Sequence, residues 1–493
     1  MADERPNILL VVTDQQRGDC LGIDGHPVLQ TPYLDACAAE GACFRRAYSA
    51  HPQCIPARRT LMTGRRAVNH GVFNNHNSIL PFPTIAGELS KAGYQSHHVG
   101  KSHLWPNYAL HGFMSGDFAD DMRGGPEAKN DYARWLHRQG MDMPLPGEAH
   151  GCNQNGRVVR PWHLDERYHL TNWCVDRSLD FLSRRDPLKP FFLYVGFLQP
   201  HEPLVPPAFY FERYLRRRLP APVFGDWCAP SRGTKPGLPV APWFTEMTDD
   251  EMHEFRAAYY GCINHIDDQL GRLFNVLPRN TLVVFTSDHG EMLGDHRLIR
   301  KTRPFEGSAR IPFVMNWPEA FGKARGLRRG MVTRRPVELM DVMPTLLDAA
   351  GAPIPEGVDG SSLLPLLRGE EDTFRDAVHG EMAVCGGAED YGGCRTGMQF
   401  LTDGRWKYAW EPGPGREYLF DLDADPQELR NLAALPAHDA ERRRWRSRLV
   451  AELKGRPEGF VANDDLVVLG DQTKPCLPGF ETPSLEAIAH KSR

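Results

Sequence analysis

The chain has 493 residues, 41% of them hydrophobic and 25% charged, with a formal charge of −5. That is an ordinary globular profile with ample material for a large core. The mild charge, without a long basic run, argues against nucleic acid or an anionic membrane as the main partner.

The first six residues carry neither the basic nor the apolar region of a signal peptide, so a cytoplasmic enzyme is expected. Residues Asn7–Thr13 are a continuous apolar run, as in a parallel strand buried on both faces, and they end in Asp14-Gln15. A helix follows over Tyr33–Glu40. After Cys54, Pro56 suits a first helical turn, and Arg58, Leu61, Met62 and Arg65 continue at helical spacing. Cys54 therefore falls at a helix N-terminus, where free N–H groups and the dipole favour an anion. Arg58, one turn on, offers a guanidinium fork for a tetrahedral oxyanion. Taken alone, Cys54 reads as a buried thiol before a helix. Next come a helix over Ile85–Ala92 and a strand over Gln95–Val99 leading to Gly100-Lys101-Ser102-His103.

A helix over Trp173–Ser183 precedes the strand Pro190–Phe197, which leads to Gln199-Pro200-His201-Glu202-Pro203. Residues Val205–Trp243 are rich in Pro, Gly and Arg and read as a long irregular insertion that shapes a substrate site; Arg213–Arg218 within it reads as solvated surface. Thr248-Asp-Asp-Glu251 is a capping box heading a helix with an apolar stripe from Phe255 to Leu273. The strand Thr281–Ser287 ends in Asp288-His289, and a helix is expected over Leu339–Ala350. Strands alternating with helices predict an α/β sheet with helices on both faces, and ligands bind such sheets at the carboxyl ends of strands. After Leu367 short strands appear (Trp406–Trp410, Glu417–Phe420), then a charged helix from about Ala437 to Lys454. Residues 1–374 are read as a catalytic domain and 375–493 as a smaller one. Its Pro-rich tail from Gly455 is read as wrapping a neighbouring subunit or covering the site, so a homo-oligomer is expected. No stretch approaches the roughly 20 apolar residues of a membrane span. The eleven cysteines lack C-x-x-C pairs and fit reduced, mostly buried thiols.

Asp14-Gln15 and Asp288-His289 are distant in sequence, yet both close a buried strand. Two carboxylates, an amide oxygen and an imidazole together make a divalent-cation site. The oxygens suit Ca²⁺, Mg²⁺ or Mn²⁺, and the imidazole tilts the choice toward Mn²⁺ or another transition metal. Either pair alone reads as helix capping or loop hydrogen bonding.

Cys54-Ile55-Pro56-Ala57-Arg58 with Thr63-Gly64-Arg65 resembles the sulfatase signature C-x-P-x-R followed by T-G-R. The likeness extends from the Asn7–Asp14 strand to the Leu419–Pro426 segment, which is similar to the closing motif of the formylglycine-dependent sulfatases of the alkaline-phosphatase superfamily. It implies a large, mostly parallel sheet between helices and a smaller C-terminal α+β domain with an antiparallel sheet. It also implies that a formylglycine-generating enzyme oxidises Cys54 to an aldehyde, whose hydrate attacks the ester. One divalent ion, Ca²⁺ or Mn²⁺, would be bound by Asp14, Gln15, residue 54, Asp288 and His289. Gly100-Lys101-Ser102-His103 resembles the family's G-K-x-H segment, implying that Lys101 binds a sulfate oxygen and that His103 contacts the hydrate and acts as base. His201 matches P-H-x-P and, with Lys301, would serve the leaving oxygen. Asn75, 21 residues beyond Cys54, matches an oxyanion-contacting asparagine, with Asn74 and Asn77 as neighbours that could take its place.

Gln15 and His289 stand where most sulfatases have Asp and Asn. This combination, and the spacing from His289 to Lys301, is similar to phosphonate monoester hydrolases and some choline-sulfatase-like enzymes. Lys101 and His103 are instead sulfatase-like. The expected function is hydrolysis of sulfate monoesters, arylsulfatase-like and promiscuous. The alternative is a phosphonate monoester or phosphodiester hydrolase, and a third reading is a non-catalytic anion- or metal-binding protein with Cys54 left as a thiol.

Overall fold

The computed structural model describes residues 5–75, 77–120, 130–141, 159–228, 247–370, 374–382 and 397–470. Strands run in chain order as β1 Asn7–Thr13, β2 Ala42–Phe44, β3 Ala47–Tyr48, β4 Gln95–Gly100, β5 Ser115–Phe118, β6 Phe191–Gly196, β7 Thr281–Ser287, β8 Phe313–Asn316, β9 Met331–Thr333, β10 Val337–Glu338, β11 Val378–Met382, β12 Met398–Thr402, β13 Trp406–Glu411 and β14 Arg416–Asp421. The main sheet has eight strands in the order β5-β4-β6-β1-β7-β8-β2-β9. It is parallel except around β8, which runs antiparallel to β7 and to β2.

The apolar run of β1 has the physical consequence expected of it. Ile8, Leu10 and Val12 enter one core with Leu61, Leu89 and Leu346, while Leu9 and Val11 enter the opposite core with Trp173, Ile266 and Leu270. Helices Cys54–Thr63, Ile85–Lys91 and Val342–Ala349 cover the first face; Pro32–Glu40, Leu170–Arg184 and Asp249–Phe274 cover the second. The last of these opens on the expected capping box, with Glu251 N donating to Thr248 Oγ1 at 3.2 Å and Thr248 N donating to Glu251 Oε2 at 2.7 Å.

Two elements differ from expectation. The helix expected over Leu339–Ala350 begins with a 3-10 turn over Leu339–Asp341 and becomes α-helical at Val342. Pro344 has no N–H to bond back to Met340, which delays the α-helix. The insertion at Val205–Trp243 is not wholly irregular: Ala208–Leu215 is a helix that buries Tyr210, Phe211 and Tyr214. Residues 229–243 of that insertion and 471–493 of the tail lie outside the described residues.

β11 to β14 form a separate four-stranded antiparallel sheet. One face packs on the Asp439–Leu453 helix through Trp445, Leu449 and Leu453. The other shares a core with Tyr48, Met292, Leu298 and Phe305 of the larger unit. Seven described cysteines are free thiols, six of them buried. No helix among the described residues is long and apolar enough to cross a membrane.

Candidate active site

β4, β6, β1 and β7 are neighbours in the sheet. Beyond their carboxyl ends stand Lys101 and His103, His201 and Glu202, Asp14 and Gln15, and Asp288 and His289. Thr13 lies beside Ser287 in the ladder, so Asp14 and Asp288 emerge together. Gly100 ends β4 with φ +86°, and a Cβ there would meet Gly196 O at 2.1 Å, so only glycine lets the chain turn into Lys101.

Cys54 is the first residue of a fully buried helix that follows the extended Gln53. Ile55 N donates to Asn75 Oδ1 at 3.0 Å. Asn74 Oδ1 instead accepts from Gln53 Nε2 at 2.9 Å, and Asn77 is exposed. Of the three asparagines, Asn75 is therefore the one that caps the Cys54 helix. Cys54 Sγ faces three ionisable groups. Lys301 Nζ lies 2.9 Å from it, His289 Nε2 3.3 Å and Asp14 Oδ1 3.9 Å. Burial and the Asp14 charge oppose ionisation of this thiol, but Lys301, His289 and Lys101 outweigh them and hold its pKa well below the ordinary value. Lys301, expected at the leaving group, thus also contacts the nucleophile position.

One ligand atom each from Asp14, Cys54, Asp288 and His289 lies within 4.8 Å of the others, and all four residues are buried. His289 Nδ1 is 3.0 Å from Gly290 O, so Nδ1 carries a proton and Nε2 is the atom turned to the cluster. Gln15 Oε1 is buried without a hydrogen-bond partner, an orphan that a cation would satisfy. These residues fit a divalent cation of mixed oxygen and nitrogen coordination.

Arg58 does something different from the oxyanion fork expected of it. The guanidinium is fully buried and committed: Nε donates to Asp288 Oδ2 at 2.8 Å, Nη2 to Asp14 Oδ2 at 3.3 Å, and Nη1 to Lys101 O and Tyr194 Oη, both at 3.0 Å. Two adjacent buried carboxylates need a compensating charge, and Arg58 supplies it. Burial pushes the Asp288 carboxyl up despite Arg58. Burial also opposes ionisation of Asp14, yet Lys101, His201, Lys301 and Arg58 together take it well below its ordinary value.

Lys101 Nζ donates to Asp14 Oδ2. His103 sits at φ +57° with its Nδ1 buried and unpartnered. Asp120 pins this turn, its Oδ1 accepting from His103 N at 2.6 Å and its Oδ2 from Ser102 Oγ at 2.8 Å. His201 Nδ1 is 2.7 Å from Glu202 O. Burial and then Lys301 push the His201 pKa down to about 4, so the ring is neutral at pH 7. Sequence reasoning missed Tyr194, Asp120, Glu202 and Glu291. Glu202 lies in the quoted Pro200–Pro203 segment and Glu291 two residues beyond His289; nothing local marks Asp120.

This sheet, with a buried acid–imidazole cluster at its strand ends and a nucleophile on the adjoining helix, has the build of an alkaline-phosphatase-superfamily hydrolase. A family model described as Sulfatase matches residues 6–352, and one described as N-sulphoglucosamine sulphohydrolase, C-terminal, matches residues 294–454. An arylsulfatase of Clostridium perfringens is 39% identical over 94% of this chain and 97% of its own length. A choline-sulfatase of Rhizobium meliloti is 32% identical over 88% of this chain and 84% of its own. The crystal structure of a phosphonate monoester hydrolase of Agrobacterium radiobacter superposes with a TM-score of 0.76 at 28% identity, covering 91% of this chain and 95% of that one. The chain belongs to the sulfatase family and is a sulfuric ester hydrolase.

Proposed function

We propose that the chain hydrolyses sulfate monoesters, aryl sulfates among them, through a formylglycine made from Cys54. The observation that carries this reading is the pairing of a helix-first Cys54 with Lys301 Nζ at 2.9 Å, against the Asp14, Asp288 and His289 cluster. A divalent cation, Ca²⁺ or Mn²⁺, held by these residues and Gln15 would supply Lewis-acid polarisation. Arg58 bridges the two aspartates and offsets part of their charge. Lys301, whose pKa is raised because Cys54, Asp14 and Asp288 outweigh the cost of burial, enters the reaction protonated and steadies the attacking oxygen, which would attack as the alkoxide with its proton already given up to solvent. Lys101 and the Asn75 amide nitrogen, whose Oδ1 is taken up by Ile55 N, would meet the equatorial sulfuryl oxygens. Lys301 supplies the proton that the leaving ester oxygen takes up; neutral His201, its Nδ1–H held by Glu202 O, presents a lone pair at Nε2 and does not donate. His103 then takes the remaining hydroxyl proton, the C–O bond to sulfate breaks and the aldehyde re-forms. The division into residues 1–374 and 375–493 is part of the same proposal, with the site carried by the first unit.

A second reading, a phosphonate monoester or phosphodiester hydrolase, is favoured by Gln15 and His289 in the ligand set and by the likeness to the Agrobacterium structure. The deciding experiment compares turnover of an aryl sulfate, an aryl phenylphosphonate and a phosphate diester by one preparation of known residue-54 state. A sulfate specificity constant that dominates, and is lost in Cys54→Ala, is the expected result. Dominant phosphonate or diester turnover moves the chain to the second reading.

A further inference from the structure

Two buried carboxylates stand directly behind Gln15. Its Nε2 donates to Glu202 Oε2 at 2.8 Å and to Glu291 Oε2 at 2.6 Å, while its Oε1 is buried with no partner. Glu202 is 2% exposed and Glu291 0%. The Gln15 backbone is fixed as well: φ is +70°, N donates to Asp288 Oδ1 at 3.1 Å, and O accepts from Tyr259 Oη at 2.6 Å. With an oxygen of each glutamate accepting from Nε2, the amide nitrogen faces the pair and the carbonyl faces away from it. Glu291 is itself anchored, its Oε1 accepting from Leu293 N at 2.9 Å and from Arg300 N. Glu202 lies 3.6 Å from Arg300 Nε. The pair thus ties together the segments carrying His201, His289 and Lys301.

We propose that Glu202 and Glu291 are positioning residues that lock the Gln15 carbonyl onto the divalent-cation site and require an amide, not a carboxylate, at position 15. This rests on the metal reading of the proposed function. The negative charge that Gln15 lacks, relative to an aspartate, sits one layer out. A carboxylate at position 15 has no N–H to give, so both buried glutamates would lose the donor that Gln15 Nε2 supplies. Simple charge counting makes the opposite prediction, that an added carboxylate tightens cation binding.

The test is Mn²⁺ affinity of the metal-stripped full chain, read from free Mn²⁺ by electron paramagnetic resonance, with circular dichroism to confirm folding. Gln15→Glu, isosteric with the native side chain, should weaken binding despite its added charge. Glu202→Gln with Glu291→Gln should weaken it roughly 10- to 100-fold, the usual range for lost outer-sphere support, but by less than about threefold when Gln15→Ala is already present. Tighter binding by Gln15→Glu overturns the proposal. So does an equal loss with and without the Gln15→Ala substitution, which means that the glutamates act by charge at a distance; this arm decides even if Gln15→Glu does not fold. An unsubstituted chain that binds no Mn²⁺ overturns the metal reading and the positioning role together, whereas unsubstituted binding with either failed arm overturns the positioning role alone.

Discussion

Buried polar residues here divide into those that hold charge and those that must not. Arg58 is of the first kind and His98 of the second. His98 lies on β4 with its ring stacked between Phe118 and Tyr194, centroids 4.7 and 5.2 Å away, and neither ring nitrogen has a hydrogen-bond partner. Burial lowers its pKa to about 4, only partly offset by Asp120. The folded chain therefore refuses a proton that the unfolded chain accepts near pH 6.5. That stability is complete above pH 6.5 and is lost as pH falls toward 4. Replacing His98 by Phe keeps the aromatic stack and removes the titration. On going from pH 7 to pH 4 the native chain should lose roughly 3 kcal/mol more stability than His98→Phe, from a shift of about 2.5 units at 1.36 kcal/mol each. Denaturant unfolding at both pH values measures it, and parallel losses would mean that His98 is protonated in the folded state.

At the scale of elements, what the sequence carries locally was readable. β1 and β7 match their expected bounds, Asn7–Thr13 and Thr281–Ser287, because burial on both faces leaves an unbroken apolar run. The places of Asp14-Gln15 and Asp288-His289 were readable for the same reason: a run that stops at Asp14 or Asp288 marks its own strand end. The Arg58 partners and the Glu202–Glu291 pair were not, because they arise from contacts between segments 43 to 276 residues apart. Local spacing put Arg58 one helical turn from Cys54 but carried no information on which side of the nucleophile the guanidinium would point. The Ala208–Leu215 helix was hidden by its Pro- and Arg-rich surroundings. The Thr248 capping box is the reverse case, four residues that define a helix start by themselves. Thr248→Ala removes the acceptor for Glu251 N and should cost about 1 kcal/mol. Tyr259, which donates to Gln15 O, lies about three helical turns beyond the cap, so kcat/KM for an aryl sulfate should be unchanged. A thermal melt lowered without loss of turnover is the expected pair of results; lost turnover would tie this helix to the chemistry.

For the whole molecule, the small sheet supports the loop that carries Lys301. Lys407 on β13 is fully buried, 2.6 Å from Glu306 Oε1 and 3.1 Å from Glu428 Oε1. Glu306 N in turn donates to Glu428 Oε2 at 2.8 Å, and Phe305 stacks against Trp227 beside Tyr418 and Phe420. Thr302 N, next to Lys301, donates to Pro52 O at 3.0 Å, just before the Cys54 helix. The cation of Lys407 therefore fastens the end of the Lys301 loop to the C-terminal sheet. Burial raises the Glu428 pKa to about 7 even with Lys407 present, while Glu306 is lowered because Lys407, Arg46 and Arg310 outweigh its burial. Lys407→Met keeps the length of the side chain and removes the charge, so both carboxyls should move up. A carboxyl whose folded pKa lies above its unfolded value contributes stability that is full at low pH and disappears as pH rises through the folded pKa. The deficit of the variant should accordingly be largest at pH 8, roughly 3–5 kcal/mol as for other broken buried pairs, and should shrink toward pH 5 as the glutamates take up protons. Turnover should fall with it at pH 8, because the loop that positions Lys301 loses its fastening. Urea unfolding and aryl sulfate turnover at pH 5, 6.5 and 8 measure both; a deficit independent of pH would mean that Lys407 contributes packing rather than charge.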